Sequence, residues 1–150
     1  MSIIKIDEFG SKRYYNEKRE LHRLDGPAIE YHDGSIEWLM NNKWHRIGGP
    51  AVIRSNGSKH WFVKGKHHRE DGPAIEYANG EKIWYFKGVC HCSTGPAYET
   101  SYGEKHWFVK GKRHREDGPA VELCDGSKYW FLNGKEYTEI QFNNMIALTY

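Results

Sequence analysis

Apolar and polar positions recur in a fixed order along most of this chain. The clearest instance is HREDGPAIEYANGEKIWYFKG, His68 to Gly88. Ala74-Ile75-Glu76-Tyr77 predicts one strand and Lys82-Ile83-Trp84-Tyr85-Phe86 a second. Between them stands Asn79-Gly80, matched by Asp33-Gly34, Asn56-Gly57 and Asp125-Gly126, pairs suited to a two-residue type I′ hairpin with both φ angles positive. The second strand ends at Lys87-Gly88, a further candidate tight turn, matched by Lys64-Gly65, Lys110-Gly111 and Asn133-Gly134, with Asn41-Asn42 in the first copy. Period-2 reading places Trp61 and Val63 on one face and His60 and Phe62 on the other, so aromatics line both faces. No segment before the tail carries helical periodicity.

The pattern is a repeat. Gly-Pro-Ala begins at Gly26, Gly49, Gly72, Gly95 and Gly118, a step of 23 each time. Trp38, Trp61, Trp84, Trp107 and Trp130 keep that step, as do His22, His45, His68, His91 and His114. Such a period means units that bury apolar surface against their neighbours. Each unit is predicted to be one two-stranded hairpin. The expected fold is all-β: a single-layer, elongated antiparallel meander of 23-residue hairpins. An open sheet is favoured over a closed barrel, because a strict repeat has no built-in reason to close. Proline at the repeat junctions belongs at a bend, bulge or strand start.

The two ends depart from the repeat. Met1 to Leu21 reads as a worn half-repeat: Gly10-Ser11-Lys12 echoes Gly57-Ser58-Lys59, and Tyr14 or Tyr15 takes the tryptophan place. At the other end Thr138 and Gln141 form a capping box, and Phe142, Met145 and Ile146 fall at helical spacing. The chain thus divides into an array over 1–137 and a capping helix over 138–150, with Ile140, Phe142 and Met145 expected to cover the last hairpin.

Composition changes this picture little. A net charge of +2 implies no bulk polyelectrolyte partner, so no specific nucleic acid is expected. Three cysteines outside the repeat register, with no signal-like apolar run, point to a soluble protein of a reducing, cytoplasmic compartment.

The pattern W-[FY]-x-[NK]-G-K-x-H-R-x-D-G-P-A-x-E-x-x-[DN]-G resembles the membrane-occupation-and-recognition-nexus (MORN) repeat, most of all the divergent arrays of bacteriophage and giant viruses. The resemblance spans roughly Leu21 to Lys135. It departs from the usual repeat, which has Tyr-x-Gly before its tryptophan and His-Gly after its turn. The resemblance implies hairpin scaffolds that dimerise or bind proteins and sometimes membrane surfaces, with no catalytic residues and no cofactor.

Nearly every reactive residue type is copied five times, which argues for structural roles and against an enzyme. The candidate binding residues are the histidines His22, His45, His68, His91 and His114 with Arg23, Arg46, Arg69 and Arg115. Successive copies should lie about 10 Å apart, two strands each. That row is either an anion-binding ridge or a set of structural contacts, each Arg pairing with Asp25, Asp71, Asp117 or Glu76 and each His bonding a neighbouring hairpin. Trp61, Trp84 and Trp107 are sheet filler or a partner groove. Cys90-His91-Cys92 looks like half a zinc site without its second half, so no metal is expected. Trp44, Arg54, Cys92 and Thr94 depart from their columns and mark a site or drift. The expectation is a non-enzymatic interaction module, a viral accessory protein in the host cytoplasm. It would bind a host protein or sequester a small anionic ligand; scaffold or anionic-membrane binding, with homo-oligomers, is the alternative.

Overall fold

A computed structural model describes residues 3–148 of the protein. Thirteen short strands form one elongated antiparallel layer. It starts with the hairpin Ile3–Ile6/Lys12–Tyr15 and ends at Lys135–Tyr137, and these end strands do not pair with each other, so the sheet is open. Between them lie the pairs Ile29–Glu30/Ile36–Glu37, Val52–Ile53/Lys59–His60, Ile75–Glu76/Lys82–Ile83, Tyr98–Glu99/Lys105–His106 and Val121–Glu122/Lys128–Leu132.

The expected second strand is broken in four copies, so each carries two hairpins instead of one. The break falls at tryptophan. The Trp38 N–H donates to the Ala51 carbonyl at 2.7 Å, and Trp61, Trp84 and Trp107 donate to Ala74, Ala97 and Ala120 at 2.8 Å. Each tryptophan carbonyl accepts the N–H of the following histidine at 3.1 Å. The backbone pivots there to reach partners on both sides, and the residues beyond form separate hairpins: Leu39–Met40/Lys43–Trp44, Phe62–Val63/Lys66–His67, Tyr85–Phe86/Val89–Cys90 and Phe108–Val109/Lys112–Arg113. In the last copy no further Gly-Pro-Ala follows, and Lys128–Leu132 stays continuous.

The Asn-Gly turns differ from the expected type I′ geometry, whereas the Lys-Gly turns are tight turns as expected. At Asn79-Gly80 and its equivalents the glycine alone has positive φ (Gly80 +92°). Gly80 N–H donates to the Tyr77 carbonyl and Tyr77 N–H to the Glu81 carbonyl, which makes a three-residue loop, a type I turn closed by a glycine bulge. The Asn79 side chain accepts from the Glu81 N–H at 3.0 Å instead of occupying a left-handed conformation. The type I′ turns are the others: Lys64 and Gly65 have φ of 51° and 78°, and Val63 pairs directly with Lys66.

Alternation sorts the main sheet into two faces. One carries Ile29, Glu37, Val52, His60, Ile75, Ile83, Tyr98, His106 and Val121 in register. The second hairpins stack a column alongside, with ring centres 4.9 Å apart for Trp44–Phe62, 3.9 Å for Phe62–His67 and 5.2 Å for His67–Tyr85. The other face is a ladder of opposite charges, Lys59, Glu76, Lys82, Glu99, Lys105, Glu122 and Lys128. The repeat alanines Ala28, Ala51, Ala74, Ala97 and Ala120 are wholly buried. Serines link the turns: Ser35 Oγ accepts from Ser55 N–H and Ser58 Oγ from Ala78 N–H.

The worn half-repeat forms a full hairpin at Ile3–Tyr15, and Tyr14 fills the tryptophan place; Met1 and Ser2 of that half-repeat lie outside the described residues. The C-terminal helix spans Glu139–Ala147 and carries the expected capping box between Thr138 and Gln141. Phe142 is buried against the last hairpin, but Ile140 is 74% exposed and takes no part in the cover. Thr149 and Tyr150 of the expected 138–150 segment lie outside the described residues. Among the described residues no helix is long and apolar enough to cross a membrane.

Candidate functional site

The tryptophans and arginines meet on the charged face, in the loop that joins one copy to the next. Arg69 shows the arrangement. Its guanidinium lies over the Trp61 ring, 4.1 Å from the centroid. Nε donates to Asp71 at 2.8 Å; one amino group donates to Glu76 at 2.7 Å and to the Pro73 carbonyl at 3.1 Å. Arg115 repeats these contacts with Trp107, Asp117, Glu122 and Pro119, and Arg23 with Tyr14, Asp25, Glu30 and Pro27. The guanidinium presses so closely on the loop glycine that a Cβ on Gly72 would sit 2.9 Å from Arg69 Cζ. That contact explains the glycine of Gly-Pro-Ala, which has ordinary φ in these copies. The arginine beside Asp71 holds that carboxyl below its usual range, and Asp25 and Asp117 are lowered in the same way. Three of the four arginines therefore have Nε and one amino group bonded to carboxylates and a carbonyl of their own copy.

The histidine row is tied to the next copy. His45, His68 and His114 accept at Nδ1 from the N–H of Lys64, Lys87 and Asn133 at 3.0–3.1 Å. His22 and His91 do the same from Asn41 and Lys110 at 3.3 and 3.4 Å. The donor is each time the first residue of a type I′ turn, which fixes the ring proton on Nε2.

Two loops depart from this scheme. Around Arg46 the Asp and Glu places hold Gly48 and Ile53. Arg46 still stacks on Trp38 at 3.8 Å and donates to the Pro50 carbonyl at 3.0 Å. Among the described residues no carboxylate pairs with it. Its surroundings have also lost polarity: Ile36 and Ile53 interrupt the charge ladder, and Ile47 is 74% exposed. In the fourth copy the arginine is absent, because Cys92 stands in its place and Thr94 in that of the aspartate. Trp84 has no guanidinium over it, and a Cβ on Gly95 would meet nothing within 4 Å. Reading each repeat column for loss of charge, and not just for unusual residues, would have exposed Ile36, Ile47, Gly48 and Ile53 in the sequence.

Trp44 and Arg54 come together, but on the other face. Both donate to Glu37, a carboxylate 4% exposed: Trp44 Nε1 to Oε2 and Arg54 to Oε1, each at 2.8 Å, with the Tyr31 hydroxyl at 3.3 Å from Oε1. The two departures are thus one compensated change, a buried charge with its partners.

Between successive loops run clefts of about 510, 540 and 470 Å³, with Trp61, Trp84 and Trp107 among their linings. The Trp61 cleft is flanked by Arg46 and Ile47, and the Trp84 cleft by Cys92, Ser93 and Thr94. Among the described residues no cluster of three histidine, cysteine or acidic side chains is placed to hold a metal. The three cysteines are free, and burial pushes the Cys90 thiol up to about 11, away from thiolate chemistry. Compared with protein-family models and with curated proteins, the chain gives no match.

Proposed function

We propose that the protein is a non-enzymatic interaction module of MORN-like 23-residue repeats, a viral accessory protein that grips a partner protein along the loop clefts of its charged face. The observation that carries this reading is the departure of two loops, one on either side of the intact Arg69 loop, from an otherwise self-satisfied array. Arg46 is a cation without its carboxylates, beside the exposed Ile47 and the half-buried Ile36 and Ile53, and Trp84 is an aromatic floor without its cation. Arginine and tryptophan are the side chains most enriched among the residues that dominate protein interfaces. Sequestration of small anions along the whole row is less favoured, because Arg23, Arg69 and Arg115 already bond carboxylates of their own loops.

Photocrosslinking in host cells tests the reading. A benzoylphenylalanine at Ile47 captures a discrete protein adduct, whereas one at Tyr102, 84% exposed on a distant turn, does not. Equal labelling at both places, or none at either, overturns it. Pelleting of the purified protein with anionic vesicles would favour the membrane alternative.

A further inference from the structure

We propose that the loop of the fourth copy is a socket for an arginine side chain supplied by a partner protein. This assignment rests on the interaction-module reading and names the chemistry of one contact. The template is internal. In three other copies the chain's own guanidinium lies 4.0–4.1 Å from an aromatic centroid, donates to a Pro carbonyl at 3.1–3.3 Å and bonds the outer-face glutamate at 2.7–2.9 Å.

The fourth copy keeps the Trp84 ring, the Gly95-Pro96 loop and Glu99. It lacks the guanidinium and, with Thr94 in its place, the aspartate that receives Nε in the occupied loops. The occupied loops would place a glycine Cβ 2.8–3.2 Å from the guanidinium carbon, whereas at Gly95 nothing lies within 4 Å. Trp84 and Cys92 both line an open cleft of about 540 Å³, so the ring can be reached from solvent. Cys92 is too short to fill it, and its thiol contacts Thr94 at 3.8 Å instead. Glu99 faces Lys82 and Lys105 across the ladder, with no ion pair to either within 4 Å among the described residues. A planar cation that stacks and forks fits this arrangement better than an ammonium.

The test uses the full chain and Nα-acetyl-arginine amide as probe, with the indole resonance of Trp84 as readout. Saturable shifts at millimolar probe are expected, with at least fivefold weaker response to Nα-acetyl-lysine amide. Cys92→Arg restores the resident side chain, keeps the fold and abolishes the response; Cys92→Ser keeps it. No saturation, equal response to lysine, or an undiminished response in Cys92→Arg overturns the socket. Retained crosslinking at Ile47 beside such a result sinks the socket alone. Arginine saturation without any crosslinked partner leaves the socket standing and sinks the wider reading.

Discussion

The guanidinium wedge makes a prediction with a control inside the same molecule. Gly72→Ala and Gly95→Ala are the same change at equivalent positions, and neither glycine has positive φ. Both variants gain about 0.4–1 kcal/mol by restricting the unfolded chain. That shared term cancels in the comparison. At Gly95 nothing opposes it. At Gly72 the new methyl would meet Arg69 Cζ at 2.9 Å, so the side chain must leave the Trp61 ring and its acceptors. The stacking contributes about 0.5–1 kcal/mol. The bond to Glu76 adds about 0–1 kcal/mol, and the one to Asp71 is largely exposed and screened. The two variants should therefore differ by about 0.5–2 kcal/mol, with Gly95→Ala the more stable. At this chain length that is roughly 1–8 °C in melting midpoint. Thermal melts followed by circular dichroism and tryptophan fluorescence measure it. The cycle closes with Arg69→Cys, the residue pair that Cys92 and Gly95 already form. In that background Gly72→Ala should stabilise as Gly95→Ala does. Equal melting of the two single variants, or an unchanged penalty in the Arg69→Cys background, refutes the wedge.

Acid should weaken the array through His67. Burial first, and then the charge of His60, lowers its pKa to about 4, and its Nε2 is buried without a partner. The unfolded chain binds the proton below about 6.5 while the folded one resists until about 4, so stability is full above pH 6.5, falls between 6.5 and 4, and loses nothing more from this group below that. The shift corresponds to about 3 kcal/mol, reduced to about 2 by the ring's partial exposure; His67→Leu, which copies Leu21, should flatten the melting-versus-pH curve over that window, and an unaltered curve would count against it. In the cap, Phe142→Ala should cost about 3 kcal/mol locally and promote self-association in size-exclusion chromatography, whereas Ile140→Ala should stay within about 0.5 kcal/mol. Equal effects of the two would mean the helix does not cover the last hairpin through Phe142.

Local chemistry set much of this protein. The order of strand-forming runs, the place of each turn glycine, the capping box at Thr138 and the absence of helical periodicity elsewhere depend on neighbours in sequence, and each was legible there. What escaped depends on residues one copy away. A period-2 run such as Lys82 to Phe86 looks continuous, and the break at Trp84 exists because its N–H bonds the Ala97 carbonyl of the following unit. Asn79-Gly80 suits a type I′ turn by composition, yet the pairing of Tyr77 with Glu81 fixed a three-residue loop, and Lys87-Gly88 took the positive φ angles. The arginine row was legible as a row, but which arginines bond carboxylates of their own copy was decided by distances in the folded chain. Trp44 and Arg54 stood out one by one in their columns. That they share Glu37 followed from strand register across the sheet, which brings Arg54 onto a carboxylate 17 residues away in sequence.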